Sequence, residues 1–208
     1  MKWEIVHRTQ YNYSAPVRES FNEARLQPFS DEWQTVEHFL LKILPAARLR
    51  HHHDLYSNVV HHFEITEPHT SLLVESHLRV TTKSRPVLAD EATPWPLARI
   101  GEAASESRVF EFLPESRFVD VSPETWRLAL DATVGVTDTW QAARALMGFV
   151  HAQFKYESNA TSVHTHMRDV LRERRGVCQD FAHVLIGLCR ALKIPALYAS
   201  GYLATEAA

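Results

Sequence analysis

One cysteine in the sequence has the surroundings of a nucleophile. Cys178 lies in the run Gly-Val-Cys-Gln-Asp-Phe-Ala-His at residues 176–183. Apolar residues then recur every three or four positions as far as Leu192, which predicts a helix whose first turn holds Cys178. The positive end of a helix dipole and its unpaired N–H groups favour a thiolate there. We therefore predict nucleophilic chemistry at Cys178, on a helix central to its domain. The predicted buried stripe comprises Cys178, Phe181, Leu185, Leu188, Cys189 and Leu192.

The second cysteine illustrates the alternative reading, a buried structural thiol. Cys189 lies eleven residues further along the same predicted helix, and free cysteines are often buried and inert. Eleven residues of helix separate two Cα atoms by about 16 Å, whereas a disulfide needs less than about 7 Å. Two unpaired thiols suit a reducing compartment. With an N-terminus that begins as a strand, this predicts a cytoplasmic protein.

A nucleophilic thiol also needs a general base and donors for an oxyanion. The N–H groups that open the helix could provide the donors. His183 is the nearest histidine in sequence, but five helical residues rotate it about 140° away from the thiol. We expect it to pack and hydrogen-bond to a neighbouring element. Asp180 should complement the helix dipole and point away from the thiol, while His164 and His166 should cap a helix or face solvent.

Three segments of the C-terminal half together resemble the core of the bacterial transglutaminase-like family. They are residues 161–165 (Thr-Ser-Val-His-Thr), residues 176–183, and residues 194–203 (Ile-Pro-Ala-Leu-Tyr-Ala-Ser-Gly-Tyr-Leu), where Leu197 replaces the usual arginine. Members of that family are thiol enzymes with a papain-like Cys-His-Asp triad. The resemblance implies that Cys178 attacks an amide or peptide carbonyl and forms a thioester that water or an amine resolves.

The family's histidine and aspartate come from a Ser-His-Ala-Trp segment and an Asp-Pro segment downstream. Neither segment occurs in the sequence up to Ala208. We therefore expect a truncated core with little or no turnover of its own. The missing strands would leave a sheet edge uncovered beside the cysteine helix, which predicts self-association through that edge.

The N-terminal half shows the alternation of half-buried antiparallel strands. Several such runs separated by turn residues predict a β-sandwich. This half also resembles the β-sandwich region that precedes bacterial transglutaminase-like cores, at residues 9–13, 25–28 and 54–58, with Ser57 where the family usually has glycine. Pro16 is expected to end the first strand. The predicted strands cover residues 3–13, 21–26, 36–44, 59–66 and 71–82.

The chain is thus predicted to be an α+β protein. An N-terminal antiparallel β-sandwich domain at residues 1–83 and a linker at 84–107 precede a helical and partly β, transglutaminase-like (papain-like) core at 108–208. Ser122 should cap a helix to about Ala132.

Three further elements are predicted in the core. Thr137 or Asp138 should open a helix, and Thr165 a short helix at residues 166–173. Residues 196–203 should form a strand under the cysteine helix. The stripe expected to face the core from the first of these helices comprises Ala143, Met147, Val150 and Phe154.

A histidine cluster in the N-terminal half admits two interpretations. Alternate members could converge across a hairpin and bind a transition metal, but their spacing matches no dedicated zinc motif. An exposed hairpin face that tolerates polar residues explains the cluster equally simply, so we assign no metal ligands. The cluster comprises His51, His52, His53, His61 and His62.

Charge and composition restrict the classes of partner that the protein is expected to bind. The 22 basic and 25 acidic residues give a formal net charge of −3, and they form no basic block, which argues against nucleic acid and membrane surfaces. No cofactor is predicted. The expected partner is a protein or peptide substrate. The alternative function is a non-enzymatic protein-binding module built on the β-sandwich.

Overall fold

The computed structural model describes residues 1–84, 94–104 and 109–204. The chain divides into two compact units, Met1–Asp90 and Glu91–Ala208. Residues 85–93 and 105–107 of the proposed linker, and residues 108 and 205–208 of the proposed core, lie outside the described residues. The domain limits at 83 and 108 therefore stay predictions.

The first unit is an antiparallel β-sandwich. Its strands form two three-stranded sheets, in the orders β1-β6-β3 and β2-β5-β4. The strands are β1 (Lys2–Val17), β2 (Ser20–Gln27), β3 (Gln34–Leu44), β4 (Arg50–His53), β5 (Val59–Ile65) and β6 (His69–Thr82).

Alternation along β6 builds the core of this unit. Leu72, Val74 and Leu78 are buried, while Glu75 and its odd-numbered neighbours lie on the other face, as the pattern predicts. The first two pack with residues of β2, β3 and β5 in one cluster, so both sheets contribute to it. The sandwich and the α+β class are thereby confirmed.

The first strand continues further than expected. Pro16 does not end β1, which runs to Val17 with an irregular register between Asn12 and Val17. A bulge lets the strand pass a proline because the missing N–H then falls where the ladder is already broken.

The turn between β4 and β5 is held by one carboxylate. Asp54 accepts hydrogen bonds from the backbone N–H groups of Tyr56 and Asn58, both at 2.9 Å. Hydrogen bonds from Asn58, first its side chain and then its backbone, together with Tyr56 and Arg25 lower the pKa of Asp54 to about 2. Ser57 adopts a left-handed φ of 61°, the strained conformation expected where a glycine is usual.

The histidine cluster meets across this hairpin in one pair. His51 lies opposite His61 in the β4–β5 ladder, with ring centroids 6.0 Å apart. His61 also packs against Phe39 of the facing sheet. No three His, Cys, Asp or Glu side chains in the described ranges are arranged to hold a metal ion, so the hairpin pair has no third ligand there.

The second unit is mainly helical. A short 3₁₀ turn at Leu97–Arg99 precedes α1 (Ile100–Ala104), and another lies at Phe110–Phe112. None of the described helices combines the length and apolar character that a bilayer crossing requires. The other elements are α2 (Pro123–Ala132), α3 (Thr139–Gln153), β7 (Lys155–Tyr156), α4 (Met167–Glu173), β8 (Arg175–Gly176) and α5 (Cys178–Ala191).

Helix α5 is the centre of this unit, as predicted. It packs against α2, α3 and α4, and buried residues such as Val184, Leu188 and Cys189 join one apolar cluster with residues of those helices. The predicted caps at Ser122 and Asp138 are confirmed, because their side chains accept from the N–H groups of Thr125 and Gln141.

Two helical predictions were wrong in detail. The buried stripe of α3 runs through Ala142, Leu146 and Val150, whereas Met147 is 56% exposed. The four-residue spacing was right, but the side of α3 that meets α5 is set by tertiary packing. Helix α4 is capped by His166 rather than Thr165, because the Thr165 hydroxyl instead accepts from the N–H of Ser162 at 2.9 Å.

The predicted strand at residues 196–203 is also absent. This segment has no regular secondary structure, and none of the described residues pairs with it as a strand, so it has no ladder to stabilise it. Ala196 donates to the carbonyl of Phe112 at 3.1 Å. Its own carbonyl accepts from Arg190, which also donates to the carbonyl of Pro114 at 2.6 Å. Self-association through a strand edge stays a prediction.

Candidate active site

The proposed nucleophile lies at the first residue of α5. Gly176 ends β8, Val177 is the N-cap, and Cys178 follows as the first helical residue. β8 pairs in parallel with β7, so the turn into α5 is anchored on its upstream side. Cys178 is exposed. A thiol in this place is accessible to a substrate and faces the positive end of the helix dipole.

The first turn of α5 leaves two backbone donors unused by the helix. The N–H groups of Asp180 and Phe181 both donate to the carbonyl of Val177, at 3.0 and 3.2 Å. Cys178 and Gln179 are the first two residues of α5. The residues four positions before them lie outside the helix, so the N–H groups of Cys178 and Gln179 have no acceptor within it. They are therefore suited to hold an anionic oxygen beside the thiol.

Asp180 is a buried residue whose carboxylate accepts two hydrogen bonds. Only 1% of its surface is exposed. Its Oδ2 accepts from the hydroxyl of Thr161 at 2.5 Å and from the backbone N–H of Val177 at 2.8 Å. The carboxylate is therefore tied to the N-cap and to the loop after β7, in the structural role that the sequence predicted.

His183 is packed within the helical unit. Its ring stacks on Phe118, with centroids 5.4 Å apart and planes 14° apart, and it contacts Tyr198. Its buried Nδ1 has no hydrogen-bond partner among the described residues, so the expected hydrogen bond to a neighbouring element is not found at this atom. Burial is the main reason that the pKa of His183 is lowered. The predicted packing is confirmed.

The two histidines before α4 cap a helix or face solvent, as the sequence predicted. His164 is exposed. His166 caps α4, since its Nδ1 accepts from the N–H of Arg168 at 3.2 Å. Nδ1 is therefore committed as an acceptor, which places the proton of a neutral ring on Nε2.

An ion pair beside these histidines was not predicted from the sequence. Asp120 is buried, and its Oδ2 is bound by the guanidinium of Arg168. That hydrogen bond is the main cause of the lowered pKa of Asp120. The two residues are 48 positions apart, and no local pattern marks such a pair.

Comparison with known proteins places these features in a family. Residues 3–81 match the family model for the bacterial transglutaminase-like N-terminal region. Residues 127–208 match the model for the transglutaminase-like superfamily, and this second match includes the segment around Cys178.

Two mycobacterial proteins are similar along nearly the whole chain. An uncharacterized protein of Mycobacterium leprae (strain TN) is 33% identical over 207 residues, which cover 97% of this chain and 71% of that protein. An uncharacterized protein of Mycobacterium bovis (strain ATCC BAA-935 / AF2122/97) is 30% identical over 210 residues, covering 99% of this chain and 67% of that protein.

One crystal structure shares the fold. It is described as "a Putative Cysteine Protease from Cytophaga hutchinsonii" and superposes with a TM-score of 0.72 at 22% sequence identity. The superposition covers 94% of this chain and 65% of that chain. The chain thus spans less than two thirds of the length of this solved relative.

Proposed function

Because this chain belongs to the bacterial transglutaminase-like superfamily, we propose that Cys178 is the nucleophile of a thiol enzyme acting on amide or peptide carbonyls. One observation carries the proposal: an exposed thiol occupies the first residue of α5, beside two N–H groups that have no acceptor within the helix. We propose a protein or peptide as the substrate, since these are the biological molecules richest in amide carbonyls.

The chemistry follows from these groups. The sulfur of Cys178 attacks the carbonyl carbon, and the N–H groups of Cys178 and Gln179 bind the oxygen as it becomes negative. The C–N bond then breaks, the amine leaves with the proton that the Cys178 thiol has lost, and a thioester to Cys178 remains. Water or a second amine attacks the thioester, which releases an acid or a new amide and restores the thiol.

Efficient turnover also requires a general base and a group that orients it. His183 is packed between Phe118 and Tyr198, His166 caps α4, and His164 is exposed on the loop before that cap. We assign the base role to none of these three, and we expect residues 1–208 by themselves to turn over amide substrates poorly.

Acylation of the thiol tests the proposal. The gene product at its natural length is mixed with p-nitrophenyl acetate, and intact mass spectrometry after a rapid acid quench counts acetyl groups. We expect one acetyl group on the wild type, none on Cys178→Ala, and one on the matched control Cys189→Ala. Equal acetylation of wild type and Cys178→Ala would refute the proposed nucleophile.

A second function has one observation in its favour. The outer face of the β1-β6-β3 sheet holds a cleft of about 310 Å³ whose lining includes Val6, Leu40 and His77, and both Val6 and Leu40 are largely exposed. Such a surface suits a non-enzymatic protein-binding module. That function predicts that iodoacetamide labels Cys178 no faster than an ordinary thiol in a peptide, whereas the thiol enzyme predicts faster labelling.

A further inference from the structure

We propose that Asp180 is a positioning residue for Cys178, with Thr161 and Gly176 as the partners that fix its carboxylate. The inference rests on the proposed function, because it assigns Asp180 a role only if Cys178 is a nucleophile. Asp180 itself does not touch the substrate in this proposal. It holds the turn that presents the sulfur and the two N–H donors.

A single oxygen atom joins the two sides of that turn. Oδ2 of Asp180 accepts from the Val177 N–H, one residue before the cysteine, and from the Thr161 hydroxyl, 19 positions away from Asp180. Because both donors converge on an oxygen in a side chain that is almost wholly buried, their loss cannot be replaced by bulk water without opening the turn.

Gly176 provides the space for this arrangement. A methyl group added at Gly176 would lie 2.6 Å from Oδ2 of Asp180 and 2.9 Å from its Cβ. Both distances are shorter than carbon contacts allow, so any larger residue at Gly176 displaces the carboxylate. Gly176, Cys178 and Asp180 therefore act as one structural unit at alternate positions of the sequence.

The N–H group from which Asp180 accepts determines which N–H groups remain free beside Cys178. An acidic side chain near the start of a helix interacts favourably with the unpaired N–H groups there. Asp180 accepts from the N–H of the N-cap residue Val177 instead, which is one half of a capping box, since valine has no side-chain acceptor for the other half. The N–H groups of Cys178 and Gln179 thus stay available for an oxyanion, and the carboxylate charge is held by other donors.

Alkylation kinetics test this role without any substrate carbonyl or general base. The rate constant for iodoacetamide at Cys178 is measured by peptide mass spectrometry across the pH range in which thiols ionise. Asp180→Ala should lower it on the order of tenfold, since small displacements at a reacting group are costly. Asp180→Asn, which keeps an acceptor oxygen, should restore most of the rate.

The hydroxyl partner supplies a second pair of variants in case Asp180→Ala does not fold. Thr161→Val removes the donor and should slow alkylation, while Thr161→Ser keeps it and should not. The matched controls are Asp169→Asn, an acidic residue in the first turn of α4, and Thr133→Val, which removes a buried hydroxyl bonded to Ala129. Both controls should alkylate at the wild-type rate.

Two outcomes overturn the inference. If folded Asp180→Ala and Thr161→Val react at the wild-type rate with an unchanged pH profile, the carboxylate is structural only. If Asp180→Asn and Asp180→Ala both react faster than wild type, Asp180 acts through its charge and not by positioning. Normal acetylation of Cys178 alongside either outcome would leave the proposed function standing while removing this role of Asp180.

Discussion

At the scale of single residues, the two thiols of α5 differ in their exposure to solvent. Cys178 is exposed at the start of α5, whereas Cys189 is buried near its end. Burial raises the pKa of the Cys189 thiol to about 11, so this residue stays protonated at neutral pH. Position along α5 therefore separates an exposed thiol, the proposed nucleophile, from a buried one.

Labelling of the native protein checks this contrast. Near neutral pH we expect iodoacetamide to modify Cys178 and to leave Cys189 unmodified, because the thiolate is the reacting species. Cys178→Ala should abolish labelling of the folded protein, and denaturant should restore it at Cys189. Rapid modification of Cys189 in the native state, read by peptide mass spectrometry, would contradict the burial described here.

The ionisation of His183 should make the stability of the helical unit depend on pH. Burial, together with the charge of His166, lowers its pKa below the ordinary value of 6.5, although Asp180 acts in the opposite direction. The neutral ring is the form that the folded state accommodates. Stability from this group is therefore present above pH 6.5 and is lost as the pH falls through the lowered pKa.

Replacing the ring tests that linkage. His183→Phe keeps an aromatic group against Phe118 and removes the unpartnered Nδ1, so we expect about 1 kcal/mol or more of added stability at low pH and less at neutral pH. Urea unfolding at both pH values measures it. His164→Phe, at an exposed position, is the control and should not change the pH dependence. An equal loss of stability at both pH values would show that only packing is at stake.

At the scale of elements, α4 approaches α5 closely at Gly187. A methyl group added at Gly187 would lie 2.6 Å from two side-chain atoms of Met167 and 3.1 Å from the backbone carbonyl of Asp120. Met167 is fully buried, so its side chain has no free space into which it could move to make room for that methyl group. A residue without a side chain is needed at this contact.

Gly187→Ala should therefore destabilise the protein by about 1–3 kcal/mol, the usual cost of overpacking a core. Gly148→Ala is the matched control, because Gly148 lies in α3 with nothing within 4 Å of the added methyl. That control should be neutral or stabilising by up to about 1 kcal/mol, since alanine favours helix. Thermal unfolding compares the two, and similar melting temperatures would argue against the close approach.

Local signals in the sequence were enough for some elements and not for others. The start of α5 at Cys178 and the cap at Ser122 follow from neighbouring residues alone, and the alternation of β6 marks its buried face. The buried side of α3 depends on where α5 lies, and a strand at residues 196–203 would need a partner that the described chain does not supply. Such facts belong to the tertiary structure.

The candidate site divides in the same way. Cys178 is recognisable from its segment, and a structural role for Asp180 could be anticipated from its place in the first turn, although its burial could not. The hydrogen bond from Thr161 to Asp180 could not, because it joins residues 19 positions apart through a loop. Thr161 did lie in one of the segments that carried the family resemblance, which was the available signal.

At the scale of the whole molecule, each unit has its own apolar core. One cluster draws only on the strands and loops of the first unit, around Phe63 and Leu72. The other draws on the helices of the second, around Leu146 and Leu188. Two separate cores predict two units with folding information of their own.

A fragment of residues 1–90 tests this organisation. We expect it to fold alone, with a circular dichroism spectrum dominated by β-structure and a cooperative thermal transition, because its core needs no residue from the rest of the chain. A fragment with Phe63→Ala should lose several kcal/mol and serves as the negative control. A disordered wild-type fragment would show that the sandwich depends on the helical unit.

Arg190 has a kinetic consequence for parts of the chain without regular structure. Its guanidinium binds the carbonyls of Pro114 and Ala196 together, while the amide of Ala196 donates to Phe112. Two irregular segments are thus fastened to the far end of the helix that starts at the cysteine. Deuterium should enter the Ala196 amide at the slow pace of α5 and not at that of an open loop, and Arg190→Lys, without the planar fork, should release it.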